Sequence, residues 1–304
     1  MSVPNTSNRL GRRRDTEHPD PPAVLAIDGH HHFWRSDVAA SWMQGDYAPL
    51  RRRAMPEDVS DALQAAGVEA VVAVQADDTL QETEFLQDLA SDPGSHVAGV
   101  VGWLPLDDPD RLADLLDRLR TRGALHGVRH QSHLQPDPDW LIRPEVVESI
   151  TYLGSRDVVV DLVAVGTDQV TRCITLAERV PNTVFVLDHL GKPDIAGGQW
   201  TEWASQMEAL AALPNVRAKV SGLDTCAGWG TWTAADIARY VDHVVGAFGP
   251  ERTLAGSDWP VASLASSYTK VWSEVRAVLA RHGADVEQAV VRRTAISTYR
   301  LALT

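Results

Sequence analysis

Two histidines separated by one residue, His30 and His32, lie in the stretch Asp28-Gly29-His30-His31-His32-Phe33-Trp34, directly after the apolar run Val24-Leu25-Ala26-Ile27. The apolar run reads as a strand. Side chains alternate across a strand, so Asp28, His30 and His32 are expected on one face and His31 on the other. Two imidazoles on one face can converge on a single divalent ion. A packed or solvated histidine run at a strand end is the plainer account, and a His-x-His pair alone does not exclude it.

More polar residues follow apolar runs further along the chain. Gln75 closes 71–75, Trp103 closes 97–103, and Arg129 and His130 close 125–130. Asp188 and His189 close 184–189, Lys219 and Ser221 close 216–221, and Asp258 closes 253–258. Three histidines and an aspartate, His30, His32, His189 and Asp258, match a zinc or similar divalent site with a position left for water. Such an ion acidifies a water and polarises a carbonyl. Asp258 can then accept the water's proton as a general base. Arg129 could grip carboxylate or polyol oxygens in a bidentate fork, and Lys219 could do similar work. Trp34 and Trp103 could wall a pocket, since an aromatic face suits the C–H face of a sugar ring, whereas Trp259 is expected to be packing.

These residues need a scaffold that gathers them from more than two hundred positions. Eight short apolar runs, at 24–27, 71–75, 97–103, 125–130, 158–163, 184–189, 216–221 and 253–258, alternate with helical patterns. Asp108 and Pro109 cap and open one helix, and its Leu112, Leu115, Leu116 and Leu119 form the stripe of a face packed on a sheet. Thr167 is expected to cap another, and a last helix is expected over 284–300. Several of the strands are nearly all apolar, as strands covered on both faces should be. Eight β-α units make an α/β fold, a single (β/α)8 TIM barrel over 23–304, with the polar residues at the carboxyl ends where such barrels hold their active sites. A doubly wound open sheet is the competitor, but no Gly-x-Gly-x-x-Gly follows the first strand.

The chain has 304 residues and a formal net charge of -13. That acidity disfavours nucleic acid and anionic membranes as partners. The polar stretch 1–22, with Arg12-Arg13-Arg14 but no apolar segment after it, is expected to be a disordered leader rather than a secretory signal. No stretch is apolar for long enough to span a bilayer. The two cysteines, Cys173 and Cys226, form no Cys-x-x-Cys pair, which fits a reducing cytoplasm. Self-association is left open.

Six segments together resemble the amidohydrolase-related sugar lactonases, a branch of the amidohydrolase superfamily. They are 27–34, Val100-Val101-Gly102-Trp103, Gly127-Val128-Arg129-His130, Phe185-Val186-Leu187-Asp188-His189-Leu190-Gly191-Lys192-Pro193, Lys219-Val220-Ser221-Gly222-Leu223 and Gly256-Ser257-Asp258-Trp259-Pro260-Val261. The likeness runs over about residues 26–301. It implies an amidohydrolase-type TIM barrel that opens small lactones, such as L-fucono-, L-rhamnono- or L-galactonolactone, or muconolactone- and pyrone-type rings. It places His30, His32, His189 and Asp258 on metal-site positions, with Asp258 as base, His189 beside it, and Arg129 and Gln75 positioning the substrate. Trp34, Trp103, His130 and Lys219 complete the expected substrate contacts. Asp161-Leu162-Val163 stands where the fuller superfamily site has a histidine on strand five, and Arg129-His130 where it has a bridging lysine or glutamate on strand four. The resemblance therefore implies one divalent metal, zinc, rather than two, in a branch that also includes metal-independent relatives. A non-oxidative decarboxylase of the same superfamily is the alternative, and a barrel that binds without catalysis is a third.

Overall fold

A computed structural model describes residues 25–35 and 40–303. The stretch 1–22, expected as a leader, lies outside the described residues. The eight strands are β1 (Ala26–His31), β2 (Val68–Val74), β3 (Val97–Gly102), β4 (Gly127–His130), β5 (Val159–Leu162), β6 (Phe185–Leu187), β7 (Val216–Val220) and β8 (Thr253–Ala255). They are parallel and pair in sequence order, β1 to β8. The helices are α1 (Ser60–Ala66), α2 (Leu80–Ala90), α3 (Pro109–Arg122), α4 (Pro144–Ser155), α5 (Thr167–Arg179), α6 (Thr201–Ala211), α7 (Leu223–Ala227), α8 (Ala234–Phe248), α9 (Tyr268–Leu279), α10 (Ala284–Gln288) and α11 (Thr294–Tyr299). The expected (β/α)8 barrel is the observed fold. Among the described residues no helix is long and apolar enough to cross a membrane.

The apolar residues divide by strand parity. Val71 and Ala73 of β2, Val160 and Leu162 of β5, and Ala218 and Val220 of β7 face outward and pack under the helices. Val72 and Val74, Val159, Val186 and Leu254 face the barrel axis. Ala295 and Tyr299 of α11, with Leu301, join that axial layer and fill the barrel's amino end. The same parity turns Asp161 and Lys219 inward. The stripe on α3 is buried as its spacing predicts, and Asp108 caps the helix by accepting from the Arg111 N–H at 3.2 Å.

Closure between β8 and β1 is short. His32 N–H donates to Trp259 O at 2.7 Å, and Asp258 N–H to His30 O at 2.9 Å. The two backbones come so close that a Cβ on Gly256 would lie 2.6 Å from His30 N, so only glycine fits there.

Three local expectations fail for identifiable reasons. The β1–β2 register shifts between Asp28 and His31, and this irregularity breaks the alternation. Asp28 therefore does not join His30 and His32. Its carboxylate meets His31 Nδ1 at 2.9 Å instead. Gly166, with φ of 84°, precedes α5, and Thr167 is its first residue rather than its cap. The last helix is interrupted by a π-helical turn, Ala289–Arg293, between α10 and α11.

Candidate active site

The polar residues converge over the carboxyl ends of the strands. His30 and His32 bring their Nε2 atoms to 3.1 Å from each other. Asp258 Oδ1 lies 3.3 Å from His32 Nε2 and 3.7 Å from His30 Nε2. His189 arrives from the opposite side of the barrel, its Nε2 3.9 Å from Asp258 Oδ2. Strand geometry does not place His189. β6 ends at Leu187, and His189 sits in the left-handed region at φ 53° inside the turn Asp188–Gly191. Asp258 is likewise at φ 60°, past the end of β8. Both are strained positions for non-glycine residues, a feature that clusters at functional sites. Gly222 completes the floor. Its φ is 60°, and a Cβ there would lie 2.8 Å from both Asp258 Oδ2 and the His189 ring.

Second contacts fix the ring orientations. His32 Nδ1 donates to Val74 O at 2.7 Å, so its lone pair is on Nε2. His30 Nδ1 lies 3.2 Å from both Asp188 Oδ1 and Lys219 Nζ, and Arg129 Nη1, which can only donate, lies 3.3 Å from His30 Nε2 and makes that nitrogen an acceptor. His189 Nδ1 pairs with Ser221 Oγ at 2.9 Å. Burial pushes all three imidazoles toward the neutral form, His30 well below the ordinary value and His189 to about 4. Burial alone would raise the Asp258 carboxyl. The Lys192 ammonium opposes that rise and favours the carboxylate.

The arrangement fits a divalent cation. Two Nε2 acceptors face each other at 3.1 Å, and the electron-poor group beside them is Arg129, whose Nη1 lies 3.3 Å from His30 Nε2. Asp258 Oδ2 is buried and accepts no hydrogen bond. His30, His189 and Asp258 offer donor atoms that all lie within 4.8 Å of one another, and His32 reaches two of those three residues. Neutral imidazoles and a carboxylate are the donor set such ions take.

A cavity of about 370 Å³ opens above this group, lined at its floor by His32, His189, Asp258, Arg129 and Lys192. Its walls include Trp42, Tyr47, Val163 and Val261. Of the residues expected to touch substrate, Arg129 lines the cavity, but its fork is largely spent. Nη1 lies 3.0 Å from Asp188 Oδ2, Nε donates to Gln75 Oε1 at 3.2 Å, and Nη2 donates to the Gln75 carbonyl. A bidentate grip on a ligand is therefore not available to it. Gln75 is fully buried and clamps Arg129 rather than meeting a ligand.

The other four expected contacts stand back from the cavity. Lys219 is sealed at 0 % exposure between Asp161 at 2.6 Å and Asp188 at 2.9 Å. Burial works against its charge, but these two carboxylates outweigh it and raise its pKa. Trp34 is buried, with Nε1 donating to Leu50 O at 3.2 Å and Arg52 O at 2.8 Å, and its ring lies behind His32. His130 packs on Trp140, ring centroids 4.3 Å apart, and Trp103 stands beside His130. Trp259 stacks on His31, which is the packing role expected of it.

The aromatic wall is instead Trp42 and Tyr47, which lie in the β1–α1 loop and carry no periodic signal. Lys192 was visible only inside the Leu-Gly-Lys-Pro segment. It reaches the cavity because its own backbone is left-handed, at φ 48°.

Comparison with known proteins bears on the family and the fold. A protein of Burkholderia ambifaria called L-fucono-1,5-lactonase is 35% identical over 249 residues, covering 81% of this chain and 83% of that protein. A Burkholderia multivorans protein of the same name is 35% identical over 280 residues, covering 86% of this chain and 93% of that one. The crystal structure of an amidohydrolase from B. multivorans with bound zinc superposes with a TM-score of 0.84 at 34% identity, over 91% of this chain and 100% of that one. Two barrels called decarboxylases reach TM-scores of 0.63 and 0.61 at 13% and 14% identity, a likeness of fold alone. With the Amidohydrolase family model matching residues 27–301, the chain belongs to the amidohydrolase family.

Proposed function

We propose that this protein is a lactonase that hydrolyses the ring ester of a sugar lactone, with L-fucono-1,5-lactone the first substrate to test. One observation carries the reading. The anionic Asp258 sits at the floor of a cavity of about 370 Å³, in a chain 35% identical over 86% of its length to a protein called L-fucono-1,5-lactonase. A cavity of that size suits a small ring. Its polar floor and its wall of Trp42, Tyr47, Val163 and Val261 suit a molecule with hydroxyls on one side and C–H surface on the other. No comparable observation favours the decarboxylase.

The chemistry follows from the placement. Water adds to the ring carbonyl carbon and gives its proton to Asp258. The bond from that carbon to the ring oxygen then breaks, and the ring oxygen takes up a proton, leaving a hydroxy acid. His30, His32, His189 and Asp258 would hold one ion, which we assign as zinc. When bound, it supplies electrophilic polarisation of the carbonyl and a more acidic water. Arg129, held by Gln75 and Asp188, keeps positive charge beside the carbonyl oxygen as negative charge develops there. A role in carbohydrate metabolism accords with this reaction, and a reducing cytoplasm suits the free Cys173 and Cys226.

A panel of aldonolactones in a pH-indicator assay tests the proposal. Acid release from a 1,5-lactone of a 6-deoxy sugar is the expected result. No acid release from any lactone, with zinc supplied, overturns it. Lys192 provides a narrower check. It lines the cavity and makes no ion pair among the described residues, so its ammonium is available to substrate hydroxyls. Lys192→Met is expected to raise KM about tenfold with a smaller change in kcat, the loss of one charged hydrogen bond. An unchanged KM would remove Lys192 from the binding surface.

A further inference from the structure

A second group of metal-type donors lies directly behind the first. His30, Asp161 and Asp188, all buried, offer one donor atom each within 4.8 Å of one another. The set is carboxylate, carboxylate and imidazole, a combination that divalent cations take. The centre of this group is filled by a side chain. Lys219 Nζ is 2.6 Å from Asp161 Oδ2, 2.9 Å from Asp188 Oδ1 and 3.2 Å from His30 Nδ1. We propose that the Lys219 ammonium is a built-in cation standing where a second metal ion would otherwise bind, so that the chain holds one ion fewer than its donor groups could take.

Three features support this. Lys219 contacts every member of the group, which an ordinary buried ion pair does not require. The two carboxylates are held in place around the ammonium: the Tyr299 hydroxyl donates to Asp161 at 2.9 and 2.8 Å, and Arg129 Nη1 lies 3.0 Å from Asp188 Oδ2. Finally, the group shares His30 with the first one. Nδ1 faces Asp188 and Lys219, and Nε2 faces His32 and Asp258. The ammonium neutralises Asp188 and fixes its Oδ1, which lies 3.2 Å from His30 Nδ1, and so sets the carboxylate against which the ring is oriented. Lys219 is thus a positioning residue. The inference does not depend on which substrate is turned over.

The test is metal stoichiometry. Wild type, Lys219→Ala and Lys219→Met are dialysed against the same zinc concentration, and bound zinc is measured by elemental analysis. Lys219→Ala, which removes the charge and opens space, is expected to carry one more equivalent than wild type. Lys219→Met, which fills the space without charge, is expected to gain none. Adding Asp161→Asn to Lys219→Ala is expected to remove the extra equivalent, which places it in this group. Thermal unfolding gives a second readout. Metal-free Lys219→Ala leaves Asp161 buried without a cation and Asp188 with Arg129 alone, so its midpoint is expected to fall and then to rise with zinc much more than the wild-type midpoint does. The proposal is overturned if Lys219→Ala binds no more zinc than wild type, if the extra zinc survives the Asp161→Asn change, or if the variant fails to fold even when refolded with zinc.

Discussion

Asp258→Asn is expected to lower kcat/KM on L-fucono-1,5-lactone by about 10²- to 10⁴-fold, the usual contribution of a positioned general base. The substitution keeps the shape of the side chain and removes its charge and basicity. Asp258 Oδ2 is buried without a hydrogen-bond donor, so one oxygen is free for a water or an ion. The Lys192 ammonium favours the ionised form of this carboxylate. A carboxylate is a weak base toward free water, and it deprotonates readily only a water that is itself unusually acidic. That is why the proposed role pairs Asp258 with the electrophile the four donors would hold. The assay is therefore run with zinc in excess and metal content measured alongside, to separate loss of the base from loss of the ion. Turnover within about tenfold of wild type, with metal content unchanged, would remove the assigned role from Asp258.

What could be read from the sequence here follows from periodicity. Strand and helix patterns repeat every two or 3.6 residues, and eight such units in order allow few topologies. The barrel was legible for that reason. Inward residues such as Asp161 and Lys219 followed the same parity, although Lys219 points into a charge network and not toward a ligand. The gathering of His30, His32, His189 and Asp258 was also legible, because each comes at or just past a strand end. The exact presentation was not. His189 and Asp258 depend on left-handed backbone, which no period encodes. The cavity wall, Trp42 and Tyr47, lies in a loop whose path is set by contacts such as Trp42 Nε1 donating to Ala76 O at 2.7 Å. Tryptophans nearer the strand ends, Trp34 and Trp103, were plausible wall residues by type. Only the three-dimensional path of the loops shows that they pack behind it.

Asp28 shows the same limit from the other side, and it carries the largest expected effect on stability. By alternation it belongs with His30 and His32, but the irregular register after Asp28 turns it toward the β8 side. There it collects five donors in a fully buried site. Ser257 donates from N to Oδ1 at 2.8 Å and from Oγ to Oδ2 at 2.5 Å, and the Tyr268 hydroxyl donates to Oδ2 at 3.0 Å. His31 Nδ1 lies 2.9 Å from Oδ2, and His30 N–H donates to Oδ1 at 3.1 Å. The carboxylate thus pins β1 to the segment after β8, at the seam where the backbone ladder is short, and it bears directly on the loop that presents Asp258. Asp28→Ala leaves those donors without an acceptor where water cannot easily replace it. Each orphaned donor costs about 1–3 kcal/mol, and after partial relaxation the expected loss is about 3–5 kcal/mol. Asp28→Asn keeps one acceptor oxygen but turns an N–H₂ toward donors, so it should fall between Asp28→Ala and wild type. Urea unfolding measures this as a lower midpoint at an unchanged slope. If Asp28→Ala unfolds at the wild-type midpoint, the seam is held by its backbone contacts and apolar packing, and Asp28 has no structural part in placing the site.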